Sequence, residues 1–244
     1  MKRTDASVIG AARAAVLERI GEAAAHAGRD PADVEIVAVT KTVGAERIRE
    51  AYTAGFRSFA ENRVQERAAK QVELDAAASY PAGEAPRWHL VGPLQSNKAR
   101  RAIELFDVIE TVDSLELAQR LDRLATEMRP GQPCSVLLQV NVDEDAAKSG
   151  FEPADLERDL SAILDLPTLA VAGLMTVGRQ VEAAEAARPP FVALRDLSER
   201  LRVRDERLGP ALSMGMSGDY AVAVEEGATL VRIGSAIFGA RSTG

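Results

Sequence analysis

Little in this chain of 244 residues could build a covalent or metal framework. Cysteine occurs once, at Cys134, so no internal disulfide can form. Histidine occurs twice, at His26 and His89, so a zinc site would have to be mostly carboxylate, an uncommon donor set, and no metal is expected. A cysteine–histidine dyad would need Cys134 beside one of those histidines, and nothing in the local pattern supports it. Basic residues are outnumbered, 30 against 37 acidic, which leaves a net charge of −7 and no dense Lys/Arg stripe; a nucleic-acid binder is not expected. No apolar run approaches the roughly 18 residues that a membrane span needs. Lys2 and Arg3 open the chain, but Asp5, Arg13 and Glu18 interrupt the next stretch, so it does not read as a signal peptide and the cytoplasm is the expected compartment.

Hydrophobic residues make up 46%, enough for a buried core and far from the composition of a disordered chain. The pattern opens with a helix: Ile9, Ala12, Val16, Ile20, Ala23 and Ala27 recur at steps of three and four, and Gly28 and Pro31 end it. A short, almost wholly apolar and β-branched run comes next at 34–39, as in a parallel strand buried on both faces. Further strands are predicted at 58–60, 88–91, 107–112, 135–142, 169–174, 212–214 and 229–233. Helical patterns stand between them, among them 45–54, 64–77, 115–128 and the stripe Phe191, Leu194, Leu197, Leu201. Ser79 to Pro86 reads as a loop, and Arg188-Pro-Pro190 as a helix start. Strict βα alternation over eight strands predicts the α/β class and a closed (β/α)8 TIM barrel, residues 1–244 forming a single domain with an extra N-terminal helix. An open doubly wound sheet is the alternative, but no glycine-rich turn follows the first strand.

In such a barrel the working residues sit at the C-terminal ends of strands. Lys41 follows Thr40 at the end of the first, almost wholly apolar strand. Desolvation at a barrel mouth favours a neutral amine, which can attack an aldehyde and form a Schiff base; the plainer alternative is a rim lysine paired with an acid. After strands seven and eight, Gly215, Ser217, Gly218, Gly234 and Ser235 are small enough for a ligand to approach the backbone, and a short helix from Ser235 would aim N–H groups at an anion. Ordinary turn chemistry would use the same residues. Arg232 ends an apolar strand and should reach the same mouth, to meet a phosphate, a carboxylate or a ring nitrogen, or to pair structurally with a barrel acid such as Glu61. Together these residues suggest a phosphorylated carbonyl compound. His89 reads as a hydrogen-bonded core histidine, His26 as solvated, Cys134 as inert, and the acidic run 143–145 as a solvated loop. Lys148 is the rival Schiff-base lysine, in a polar loop without an apolar wall.

Several motifs occur in order: Val37-Ala-Val-Thr-Lys41; Glu61-Asn62 with Val64-Gln-Glu66; Trp88-His-Leu-Val-Gly-Pro-Leu-Gln-Ser-Asn-Lys98; Gly173-Leu-Met175; Leu212-Ser-Met-Gly-Met-Ser217; and Val231-Arg-Ile-Gly234 with Ile237-Phe-Gly239. From about residue 8 to Gly239 the chain closely resembles the pyridoxal phosphate homeostasis proteins, whose barrel is similar to the N-terminal domain of alanine racemases. The resemblance implies pyridoxal 5'-phosphate (PLP) held as an internal aldimine on Lys41. It implies a phosphate held by Ser217, Gly234 and Ser235, Arg232 facing the pyridine nitrogen, and Asn62 near the ring. It further implies storage, buffering or delivery of PLP to PLP-dependent apo-enzymes, without robust catalysis, by a monomer or weak dimer. Val43 and Gly44 stand where the family often has a second lysine and a proline, Ala60 where a glycine is common, and Arg63 where an aromatic residue is common. The alternatives are a slow PLP-dependent amino-acid racemase or decarboxylase, and a class I aldolase that uses Lys41 without a cofactor.

Overall fold

The structure, a computed structural model, describes residues 5–75, 85–143, 145, 148–178 and 183–239. Eight strands pair in parallel, each with its sequence neighbour, and the last closes on the first. They are β1 (Glu35–Val39), β2 (Ser58–Glu61), β3 (Arg87–Leu90), β4 (Val108–Val112), β5 (Cys134–Gln139), β6 (Leu169–Met175), β7 (Ala211–Met216) and β8 (Leu230–Ile233). The described helices are α1 (Asp5–His26), α2 (Ala45–Thr53), α3 (Val64–Asp75), α4 (Ala99–Leu105), α5 (Leu115–Met128), α6 (Pro153–Leu164), α7 (Arg188–Arg204), α8 (Tyr220–Glu225) and α9 (Ser235–Phe238). The expected TIM barrel with its extra N-terminal helix is therefore present. All eight expected strands fall within a few residues of their predicted bounds. The end of the 64–77 helix pattern and most of the loop from Ser79 lie outside the described residues.

Local chemistry explains where the elements begin and end. Ser114 caps α5, its Oγ accepting from the amide of Leu117. The same helix buries Leu117, Ala118, Leu121 and Ala125, one stripe at helical spacing. Pro153 opens α6, and Pro189 and Pro190 lie in the first turn of α7, where a missing N–H costs nothing. Along α1, Ile9, Val16, Ile20 and Ala23 are buried as their spacing requires, and α1 packs on α2, α8 and α9. Ala27 falls outside the stripe and is exposed, because Gly28 takes φ 65° and ends the helix before it.

The strands separate two cores. Ala38, Phe59 and Val231 face outward and join the large cluster shared with the helices. Their neighbours Val37, Ala60 and Leu230 form a second, small cluster inside the barrel, with Val39, Val91 and Ala211 packed against it. Elsewhere the interior carries buried polar side chains, among them His89, Glu110, Ser213 and Arg232.

Candidate cofactor site

The amide of Thr40 bonds the carbonyl of Ala60 at 2.8 Å, so the ladder between β1 and β2 runs one residue past β1. Strand alternation then carries Lys41 to the inner face with Val37 and Val39. Thr42 takes φ 64°, a left-handed conformation rare for a β-branched residue, so the chain turns away immediately after Lys41. Lys41 is half-buried, and its amine has no hydrogen bond or ion pair among the described residues. Behind it, on the outer face, Lys70 donates to the carbonyl of Thr40 at 2.7 Å and to Oε1 of Glu61 at 2.5 Å, while Thr40 Oγ1 donates to the same carboxylate oxygen at 2.6 Å. Burial pushes the Glu61 carboxyl above its ordinary value despite the hydrogen bonds from Lys70 and Thr40.

β8 lies between β7 and β1, which brings the loops after β7 and β8 beside Lys41. Gly215 takes φ 88°, and a Cβ there would stand 2.5 Å from Cβ of Ala223, so only glycine allows this turn at the end of β7. The turn delivers Ser217, whose Oγ accepts from the amides of Gly234 and Ala236, each at 3.3 Å. Ser217 and Gly234 are half-buried and Ser235 is exposed. On the other side of Lys41, Asn62 follows β2. Its side chain makes no hydrogen bond among the described residues, and its carbonyl would stand 2.1 Å from a Cβ on Gly92. The structure thus gathers Lys41, Asn62, Ser217, Arg232, Gly234 and Ser235 at the ends of four consecutive strands, β7, β8, β1 and β2. Among them the one side-chain hydrogen bond joins Ser217 to Gly234.

Arg232 is 4% exposed and points into the barrel. Its Nη1 donates to Ser213 Oγ and its Nη2 to the carbonyl of Thr176, both at 2.6 Å. Ser213 Oγ in turn donates to Oε2 of Glu110 at 2.5 Å, and Oε1 of Glu110 lies 2.6 Å from His89 Nδ1. Burial would raise the Glu110 carboxyl, but the hydrogen bond from His89 and the charges of His89 and Arg232 bring it below its ordinary value. Burial pulls the Arg232 guanidinium down, and the carboxylates of Glu110 and Asp219 oppose that. Glu61 is not the structural partner of Arg232 that the strand-end pattern suggests: it points outward to Lys70, and the acids facing Arg232 are Glu110 and Asp219. Sequence reasoning missed Glu110 and Ser213. The available signal was a lone acid in the β-branched strand of residues 108–112, since a charge there demands a buried partner.

The other candidate residues have plainer roles. His89 is a hydrogen-bonded core histidine, as expected. Lys148 donates to Asp143 and to the carbonyl of Val177 at 3.0 Å. Cys134 is buried, and burial pushes its thiol up to about 11, far from the reactive thiolate. Glu144 lies outside the described residues; among those described, no group of three or more His, Cys, Asp or Glu is placed to hold a metal ion.

The family model for the alanine racemase N-terminal domain matches residues 12–242. The pyridoxal phosphate homeostasis protein of Pseudomonas aeruginosa is 46% identical over 234 residues, 95% of each chain. That of Escherichia coli is 39% identical over 234 residues, 93% of this chain and 94% of its own. The chain belongs to the pyridoxal phosphate homeostasis protein family. PipY of Synechococcus elongatus, solved with PLP bound, superposes with a TM-score of 0.78 at 42% identity, covering 90% of this chain and all of PipY. An alanine racemase of Clostridium difficile shares the barrel fold, with a TM-score of 0.65 at 16% identity, over 93% of this chain and 56% of the racemase.

The site residues fit PLP on their own geometry. An unpaired amine on the inner face suits an aldehyde, amides beside the Ser217 hydroxyl suit a phosphate, and the buried guanidinium on the strand next to Lys41 suits a ring nitrogen.

Proposed function

We propose that this protein holds pyridoxal 5'-phosphate at the C-terminal mouth of its barrel and serves PLP homeostasis by storing, buffering or delivering the cofactor in the cytoplasm. The whole chain acts as one domain in this reading. The observation that carries it is the unpaired amine of Lys41 on the inner face, one strand away from Arg232 and Gly234 and two from Ser217, which bonds Gly234. PipY, 42% identical, was solved with PLP bound, which supports the same ligand here.

Each residue has a part. Lys41 supplies the amine that takes the aldehyde. Ser217 and the amides of Gly234 and Ser235 hold the phosphate, and small side chains there let the backbone approach. Arg232 donates to the ring nitrogen, and Asn62 borders the ring. Bound PLP supplies a reactive aldehyde and an electron-withdrawing ring. A permanently charged arginine at the ring nitrogen disfavours its protonation, so the ring withdraws electrons weakly.

That electronic setting supports holding over turnover, as do the tyrosines. Racemisation needs acid–base groups on both faces of a substrate. Tyr220 is buried in the helix-side core near Arg19 and Glu22 of α1, and Tyr52 lies under the guanidinium of Arg57 at 4.3 Å. Neither faces the mouth, and Tyr80 lies outside the described residues. Release to a recipient apo-enzyme would need water or an incoming amine to take the aldehyde carbon and return the free amine of Lys41.

The test is an absorption spectrum of the full chain with added PLP, followed by borohydride reduction and peptide mapping. A near-visible band and an adduct on Lys41 are expected. No band and no adduct would overturn the PLP reading, and an adduct on Lys148 would overturn the placement.

A further inference from the structure

We propose that Glu110 is the positioning residue for Arg232, holding the guanidinium in place and in charge balance beneath the cofactor site. This rests on the reading of the mouth as a PLP site with Arg232 at the ring nitrogen. Ser213 links the two side chains. Its hydroxyl accepts from Nη1 of Arg232 at 2.6 Å and gives its single proton to Oε2 of Glu110 at 2.5 Å. Accepting from an arginine, which can only donate, leaves the hydroxyl proton for the carboxylate, so the direction of the chain is set. The other carboxylate oxygen lies 2.6 Å from His89 Nδ1. The chain therefore crosses the interior from β3 through β4 and β7 to β8, and every member is buried. At its far end, His89 Nε2 has no partner among the described residues, and His89 lines a cavity of about 380 Å³ among the N-terminal ends of the strands.

A carboxylate at this depth is costly unless compensated. Elsewhere in the interior Val37, Ala60 and Leu230 pack together, so part of the barrel is filled without charge. The acid at position 110 is explained by the cation at 232. Asp219, the second acid near Arg232, bonds instead to the amide of Met216 at 2.6 Å and so holds the loop that presents Ser217. The charged and titratable groups around the chain are thus His89 on β3, Glu110 on β4, Asp219 after β7, Arg232 on β8, and Lys41 at the mouth.

The experiment titrates the full chain with PLP and then with pH, for the wild type and for Glu110→Gln, Glu110→Asp and Ser213→Ala. Removing a negative charge from the interior that also holds Arg232 makes the field at the mouth more positive and disfavours any cationic form of the Lys41 adduct. Glu110→Gln is therefore expected to lower the pH midpoint of the near-visible band by about 0.5–1 unit and to weaken PLP binding about tenfold. Ser213→Ala should weaken binding by about threefold or more, and Glu110→Asp should restore part of both effects. A loss of unfolding temperature in Glu110→Gln with the midpoint and affinity unchanged would overturn the proposal, because a purely structural acid moves only stability. If Glu110→Gln fails to fold, Ser213→Ala decides: wild-type affinity and midpoint in that variant would overturn the proposal. A wild-type chain that forms no adduct on Lys41 would instead overturn the reading of the site itself.

Discussion

Lys41 and Lys148 stand in loops at the same end of the barrel, one after β1 and the other after β5. Lys148 donates to Asp143 and to the carbonyl of Val177. Lys41 has no such partner among the described residues, and the nearby acid that could have taken it, Glu61, is occupied by Lys70 and Thr40 on the outer face. An amine already engaged by a carboxylate and a carbonyl must break both bonds before it can attack a carbonyl carbon. A free one breaks none. Position at a strand end makes a lysine a candidate, and the neighbours decide whether its amine is available.

The comparison breaks most directly by substitution of the two lysines. Lys41→Ala should abolish both the near-visible band and the borohydride-trapped adduct and weaken PLP binding on the order of 100-fold. Lys148→Ala should leave the band in place and the affinity within about twofold. An adduct that persists in Lys41→Ala and maps to Lys148 would show that the paired lysine is the reactive one. Next in size is Arg232→Met, which strands the Glu110–His89 pair in the interior. It should cost about 3 kcal/mol in urea unfolding without ligand, since removing one partner leaves an uncompensated buried charge. A loss under about 1 kcal/mol would show that Glu110 does not depend on Arg232. Ser217→Ala removes one hydroxyl at the phosphate end and should weaken PLP binding about tenfold while leaving the adduct on Lys41. An adduct shifted to another lysine in that variant would mean that the phosphate end selects the amine.

The two buried carboxylates near these lysines and Arg232 sharpen the contrast through pH. Glu110 has a depressed folded value, so its stabilisation is present above the ordinary carboxylate range and is lost as pH falls through the depressed value. Glu61 has a raised value, so its contribution is present below the ordinary range and is lost as pH rises through the raised value. In urea midpoints measured from pH 3 to pH 8, Glu110→Gln should flatten the acid side of the curve and Glu61→Gln the side above pH 4.5. The two effects should differ in sign, and two curves flattened on the same side would contradict the assignment.

Much of this arrangement was legible in the sequence. The alternation of short, mainly apolar strands with helical stripes identified eight βα units, because a strand buried on both faces is mostly apolar whereas a covering helix is apolar along one stripe only. The same alternation placed Lys41 and Arg232 at strand ends. The polar interior was not legible. Glu110, Ser213 and His89 come from three different strands, and nothing in their spacing says that they meet. For the same reason Arg232 could be given Glu61 as a partner, although strand parity sends Glu61 outward to α3.

The barrel, its extra helix, the strand-end lysine and arginine, and the glycines that shape the loops after β7 and β8 can all be read from the order of residues alone. These follow from local periodicity and backbone freedom, which act over a few residues. Which acid serves which cation, and which lysine keeps its amine free, was settled by the packed barrel. Those outcomes depend on closure of β8 onto β1, which juxtaposes residues nearly two hundred positions apart, and on burial, which makes every unpaired charge too costly to leave to chance.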